Sequence, residues 1–174
     1  MTPIQTYGPE TRTGLAAIDP ILVSVLVADT NDVGSRLAYV DVPCTSSGAI
    51  PGPECPAGAT AGTPVPAFPL TGCETTYERK DTIGPVVEGF VTTGLKLFAV
   101  YRVDRTEAGD VAPGDFGLVF VDPRPAPGAT GAIMVAVTAD SDGRIVRWGN
   151  SCGAVDPREF MNERPVLDYV LPPR

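Results

Sequence analysis

The chain has 174 residues, with 13 basic and 21 acidic side chains, four Cys, no His and a formal net charge of -8; Gly and Pro together fill 38 positions. That breaker content is nearly twice the roughly 12% of an average protein and excludes a bundle of long helices. The missing histidines remove every mechanism that needs an imidazole base, a His-ligated zinc or a Ser–His pair, and the acidic balance repels nucleic acid.

At 18.1 kDa and 43% apolar, the chain has enough material for one domain with a single core. Residues 1–20 carry Pro3, Gly8, Pro9, Gly14 and Pro20 with little apolar periodicity, and so read as an extended N-terminal arm. Nothing in Met1 to Thr6 resembles an export signal, and the longest apolar run, Ile21 to Ala28, is too short to cross a bilayer. Synthesis in the cytoplasm without a membrane partner is the expectation. Ile21 to Val27 is rich in β-branched residues and bounded by Pro20 and Asp29, which predicts a buried strand. Arg36 to Val42 is expected to pair back on it as a hairpin.

Residues 43–73 hold seven Pro and five Gly. A stretch of that length without an element of its own is a binding loop or disorder. Strand signals resume with Val86 to Thr93 and with Leu95 to Asp104, where Leu95, Leu97, Ala99, Tyr101 and Val103 alternate onto one face. Phe116 to Val121, Ile133 to Thr138 and Arg144 to Trp148 follow, the last two joined by a tight turn containing Asp142-Gly143. Asp156-Pro157-Arg158-Glu159 has the form of a helix start, and Pro165 stops the helix soon after. Val166 to Leu171 reads as a last strand or a C-terminal arm. These elements predict an all-β domain, a β-sandwich or small barrel of seven to eight short strands over residues 21–160. It carries an inserted Pro/Gly/Cys loop at 43–73, arms at 1–20 and 161–174, and at most one short helix.

Cys44, Cys55, Cys73 and Cys152 allow three disulfide connectivities, for example Cys44 with Cys55 and Cys73 with Cys152. Their wide gaps do not suit a structural zinc, and reduced thiols are the other reading. Asp140-Ser141-Asp142-Gly143 opens like a calcium loop, but Arg144 stands at the loop's fifth position, where a further oxygen ligand is needed, so a hairpin turn is expected. Asp29, Asn31 and Asp32 read as a solvated turn. The serines lack a His partner and a nucleophile elbow, and no Gly-rich phosphate loop is present. No catalytic residue, cofactor, metal or small-molecule substrate is expected.

The Pro-stiffened ends and the loop carry isolated apolar anchors: Ile4, Tyr7 and Leu15, then Phe68 and Leu70, then Leu167, Tyr169 and Leu171. Such segments suit strand addition or groove docking on protein subunits, either copies of the chain or capsid or tail proteins. They equally suit folding back on their own domain. The expectation is a non-enzymatic structural or assembly protein, a virion component of a bacteriophage. It would serve as a capsid decoration or minor capsid protein, or in the tail. Eleven of the thirteen basic residues are Arg, which points to a high-GC host. The alternative is a secreted or cell-surface β-sandwich binding module stapled by disulfides, and the third option is a carboxylate-based hydrolase.

Overall fold

The computed structural model describes residues 4–46, 52–106, 114–122 and 131–174. Within them, eight strands form one mixed sheet: β1 (Val40–Pro43), β2 (Pro64–Thr71), β3 (Thr75–Arg79), β4 (Lys96–Val103), β5 (Phe116–Asp122), β6 (Ile133–Ala139), β7 (Ile145–Asn150) and β8 (Val166–Leu171). Their order is β1-β2-β7-β6-β5-β4-β8, with β3 paired to β2. The antiparallel run from β4 to β7 is its centre. The β6–β7 turn is closed by protein groups: the Asp140 carboxylate accepts the Asp142 and Arg144 amides, and Gly143 takes the left-handed φ of 79° that the turn requires.

Short helices pack on this sheet: α1 (Asp19–Leu26), α2 (Thr30–Ser35), α3 (Gly84–Phe90) and α4 (Pro157–Asn162). The all-β class therefore holds in the coarse sense, a mostly β molecule, but among the described residues four helices stand where at most one was expected. Ile21 to Val27 is helical, not a strand. Pro20 sits in the first turn, where a missing N–H costs nothing, and Ile18, Ile21, Leu22 and Val25 fall on one helical face and are fully buried. Val86 to Thr93 fails as a strand for the same reason. Pro85 opens α3, and Ile83, Val87 and Val91 recur every four residues against the core. With no strand at 21–27 to pair with, the hairpin shrinks to β1, which pairs with β2.

Three prolines sit in β2, inside the stretch read as loop. Val65, Ala67 and Phe68 are buried there, and the prolines occupy positions where the ladder needs no donor. Pro66 uses only its carbonyl, accepting Lys80 N. Pro69 lies between the residues that β1 covers, 64–67, and those that β7 covers, 70–71.

The core is divided by the sheet. One cluster joins α1, α2 and α3 to Leu97, Val100, Leu118, Phe120 and Trp148; the other joins Phe160 and Met161 of α4 to Phe98, Ala99, Tyr101 and Val119. Both faces of β4 are thus covered. A register shift between Leu97 and Ala99 also breaks the expected alternation, placing Leu95 and Leu97 in the first cluster and Ala99, Tyr101 and Val103 in the second.

Candidate interaction edge

β8 ends the sheet. It pairs antiparallel with β4 through Val100↔Leu171, Tyr101↔Tyr169, Arg102↔Asp168 and Val103↔Val166, and no strand among the described residues pairs with its other side. Both ends of the strand are fastened. Asp104 N donates to Pro165 O at 2.8 Å, Tyr7 N to Leu97 O at 2.8 Å, and the Tyr7 hydroxyl to Pro172 O at 2.8 Å. The Arg174 guanidinium lies 4.3 Å from the centre of the Tyr7 ring. N-terminal residues thus continue the edge where β8 stops.

On this held strand Leu167 is 64% and Tyr169 43% exposed, and Ile4 is 40% exposed. Leu171 packs partly against the α1–α3 core, as do Tyr7, Leu15 and Leu70. Phe68 is fully buried, edge-to-face with Tyr39 at 6.4 Å, and so presents nothing to a partner. The structure thus brings Tyr7, Leu167, Tyr169 and Leu171 to one edge and places Leu15, Phe68 and Leu70 elsewhere. Val27, 67% exposed at the end of α1, had no sequence signal because its run reads as uniformly apolar.

Beside β8, Arg102, Val103, Asp104, Asp115, Phe116 and Leu167 line a groove of about 390 Å³. Arg105 forms a short ion pair with Asp115 there. Burial raises the Asp115 carboxyl, but hydrogen bonds from Ser141 and the pairing with Arg105 outweigh this and hold it below the ordinary carboxylate range. The Thr106 hydroxyl and amide lower Asp104 in the same direction. This wall is therefore occupied by mutually satisfied charges, with Leu167 as its apolar rim.

The cysteines pair as Cys44–Cys55 and Cys73–Cys152. Next to Cys73 a second groove of about 390 Å³ is lined by Leu70, Thr71, Glu74, Phe90 and Asn150. Phe90 stacks on Trp148 at 4.5 Å, and the Trp148 indole N–H is buried with no hydrogen-bond partner among the described residues. Glu54 and Glu78 share a hollow of about 180 Å³ with Arg79. Among the described residues no three Cys, Asp or Glu side chains converge on a metal position. No protein-family model matches the chain, and neither a curated protein nor a solved structure matches it.

Proposed function

We propose that this chain is a non-enzymatic structural or assembly protein that joins neighbouring protein subunits along the β8 edge. We further propose that it is a virion component of a bacteriophage of a high-GC host, in the capsid or the tail. The observation that carries the reading is a six-residue edge strand fastened at both ends, with Leu167 and Tyr169 in solvent. Its unpaired backbone groups are a template for another strand, and prior ordering removes much of the entropic cost of docking. The virion setting draws on the acidic, histidine-free composition and on the Arg-rich basic set.

Two disulfides favour a second reading, a secreted or cell-surface β-sandwich binding module, because such bridges persist in oxidising compartments. The hydrolase reading has less support: the hollow holding Glu54 and Glu78, about 180 Å³, is well below the roughly 300 Å³ at which ligand pockets begin, and in the larger groove beside β8 Asp115 is paired with Arg105 and both Asp104 and Asp115 are held below the ordinary carboxylate range, the wrong direction for a general acid.

Hydrogen exchange on the protein within its native particle and on the dilute purified chain tests the proposal. Amides of residues 166–171 are expected to exchange at least about tenfold more slowly in the particle. An equally open edge in both states overturns the assembly reading. Recovery of the chain from the extracellular medium, free of any particle, favours the binding module.

A further inference from the structure

We propose that the Cys73–Cys152 bridge is a site of reversible thiol–disulfide exchange, opened by a small dithiol while the fold and the Cys44–Cys55 bridge stay intact. This site is independent of whatever docks at the β8 edge.

The two bridges sit in opposite surroundings. Cys44 is 2% exposed and Cys55 half-buried, and the main chain holds both in place whether or not their sulfurs are joined. Cys44 N donates to Thr63 O at 2.9 Å, Cys44 O accepts Gly62 N at 2.8 Å, and Cys55 N donates to Thr45 O at 2.9 Å. A reductant must first open that layer. Cys73 and Cys152 are both exposed, and neither makes a main-chain hydrogen bond among the described residues. Cys73 lies in the bend between β2 and β3, and Cys152 in the bend after β7. Exchange requires a thiolate to reach one sulfur of the bridge, and exposed bridges are the labile ones, so attack falls on this pair.

The dithiol balances the reaction. One of its thiolates attacks a bridge sulfur, the S–S bond breaks, and the electron pair leaves on the other cysteine, which takes a proton from solvent. The second thiol of the reductant then loses its proton and displaces the remaining protein sulfur from the mixed disulfide. The protein gains two electrons and becomes a dithiol, and the reductant is oxidised to its own disulfide.

Opening has a defined structural target. Among the described residues, the pairing of β2 with β7 is the one strand pairing that joins β1–β3 to β4–β8. It consists of Leu70↔Trp148 and Thr71↔Gly149, and the bridge closes the chain just past both strands. Gly149 shows how closely the strands approach there, since a Cβ built on it falls 2.2 Å from Thr71 Oγ1. The groove beside Cys73 reaches across this join from Glu74 to Asn150. The dithiol state therefore loosens the join and leaves the antiparallel β4–β7 centre unchanged.

The folded, oxidised full chain treated with dithiothreitol in the absence of denaturant tests this, with iodoacetamide quenching over a time course and peptide mass spectrometry locating the label. Cys73 and Cys152 are expected to be alkylated at least about tenfold faster than Cys44 and Cys55, at a rate that does not change in urea below the unfolding transition. Amide exchange at Thr71 and Gly149 should quicken at least about tenfold while β4–β6 keep their protection, and oxidised glutathione should restore both the bridge and the slow exchange. Equal alkylation of the four cysteines, or a folded chain that dithiothreitol leaves unmodified, overturns the proposal. So does a rate that climbs with urea, which would mean attack through unfolding, or a sheet that loses protection throughout when the bridge opens.

Discussion

The Tyr7 hydroxyl donates to the Pro172 carbonyl at 2.8 Å, joining points 165 residues apart in the chain. The same residue bonds Leu97 through its backbone amide and carries Arg174 over its ring, so one residue fastens both segments to the end of β4. Tyr7→Phe keeps the ring and removes the donor. A neutral hydrogen bond contributes about 0.5–1.5 kcal/mol, so amide exchange at Val170 and Leu171 should quicken roughly fivefold in Tyr7→Phe. Tyr7→Ala should accelerate it further. Unchanged exchange in Tyr7→Ala would show that the clasp does not order the edge.

Asp32 links α1 to α2. Its carboxylate accepts Arg36 Nε at 2.7 Å and Nη2 at 3.1 Å, and receives a short hydrogen bond from the Ser24 hydroxyl. Arg36 first and Ser24 second hold its pKa below the ordinary 3.8. Folding therefore lowers the proton affinity of this group. Its contribution is complete above the unfolded value near 3.8 and fades as pH falls through the lower native pKa. Urea midpoints of wild type and Asp32→Asn should differ at neutral pH, with wild type more stable, and converge under strong acid. A gap that stays constant down to the acid limit would falsify this linkage.

Local chemistry in the sequence anticipates the β5–β7 strands and α4. The short apolar runs Phe116 to Val121 and Ile133 to Thr138, the Asp142-Gly143 turn, and the Asp156 cap with Pro157 behind it are all decided within a few residues. α1 and α3 are not legible in that way. Ile21 to Val27 is apolar except for Ser24, so neither period 2 nor period 3.6 stands out, and only Pro20 hints at a helix start. The β2 prolines mislead because their tolerance depends on where β1 and β7 happen to pair. At the candidate edge, Leu167 and Tyr169 are visible as apolar anchors. That they lie on the last strand of the sheet depends on β8 pairing with β4 across some seventy residues of chain, which no local pattern encodes.

The two bridges should differ in effect. Cys73–Cys152 spans a separation of 79 residues and Cys44–Cys55 one of 11. Loop-closure entropy gives about 4–5 kcal/mol for the first and about 3 kcal/mol for the second. The longer bridge also lies just past a thin seam, since β2 meets β7 only at Leu70↔Trp148 and Thr71↔Gly149. Cys73→Ser with Cys152→Ser should lower the urea-derived stability more than Cys44→Ser with Cys55→Ser, and should speed exchange at Thr71 and Gly149 before the β4–β6 strands. Equal losses, or uniform exchange across the sheet, would contradict the ranking.

Gly117 is the residue on which the Tyr101 ring depends. Tyr101 pairs with Gly117 on β5 and with Tyr169 on β8, and a Cβ built at Gly117 falls within the atoms of the Tyr101 ring. The buried ring therefore lies across β5 where any side chain would stand, and burial pushes the Tyr101 phenol above its ordinary pKa. Gly117→Ala must displace the ring, an overpacking change that costs about 1–3 kcal/mol. Because Tyr101 is the cross-strand neighbour of Tyr169, the displacement should also loosen β8, and exchange at residues 168–170 should rise more than exchange in β6 or β7. Tyr101→Leu in the Gly117→Ala background removes the collision, so the double variant should lose less than the sum of the two single losses. Strict additivity in this cycle would show that ring and glycine do not interact, and that some other property of Gly117 sets its cost.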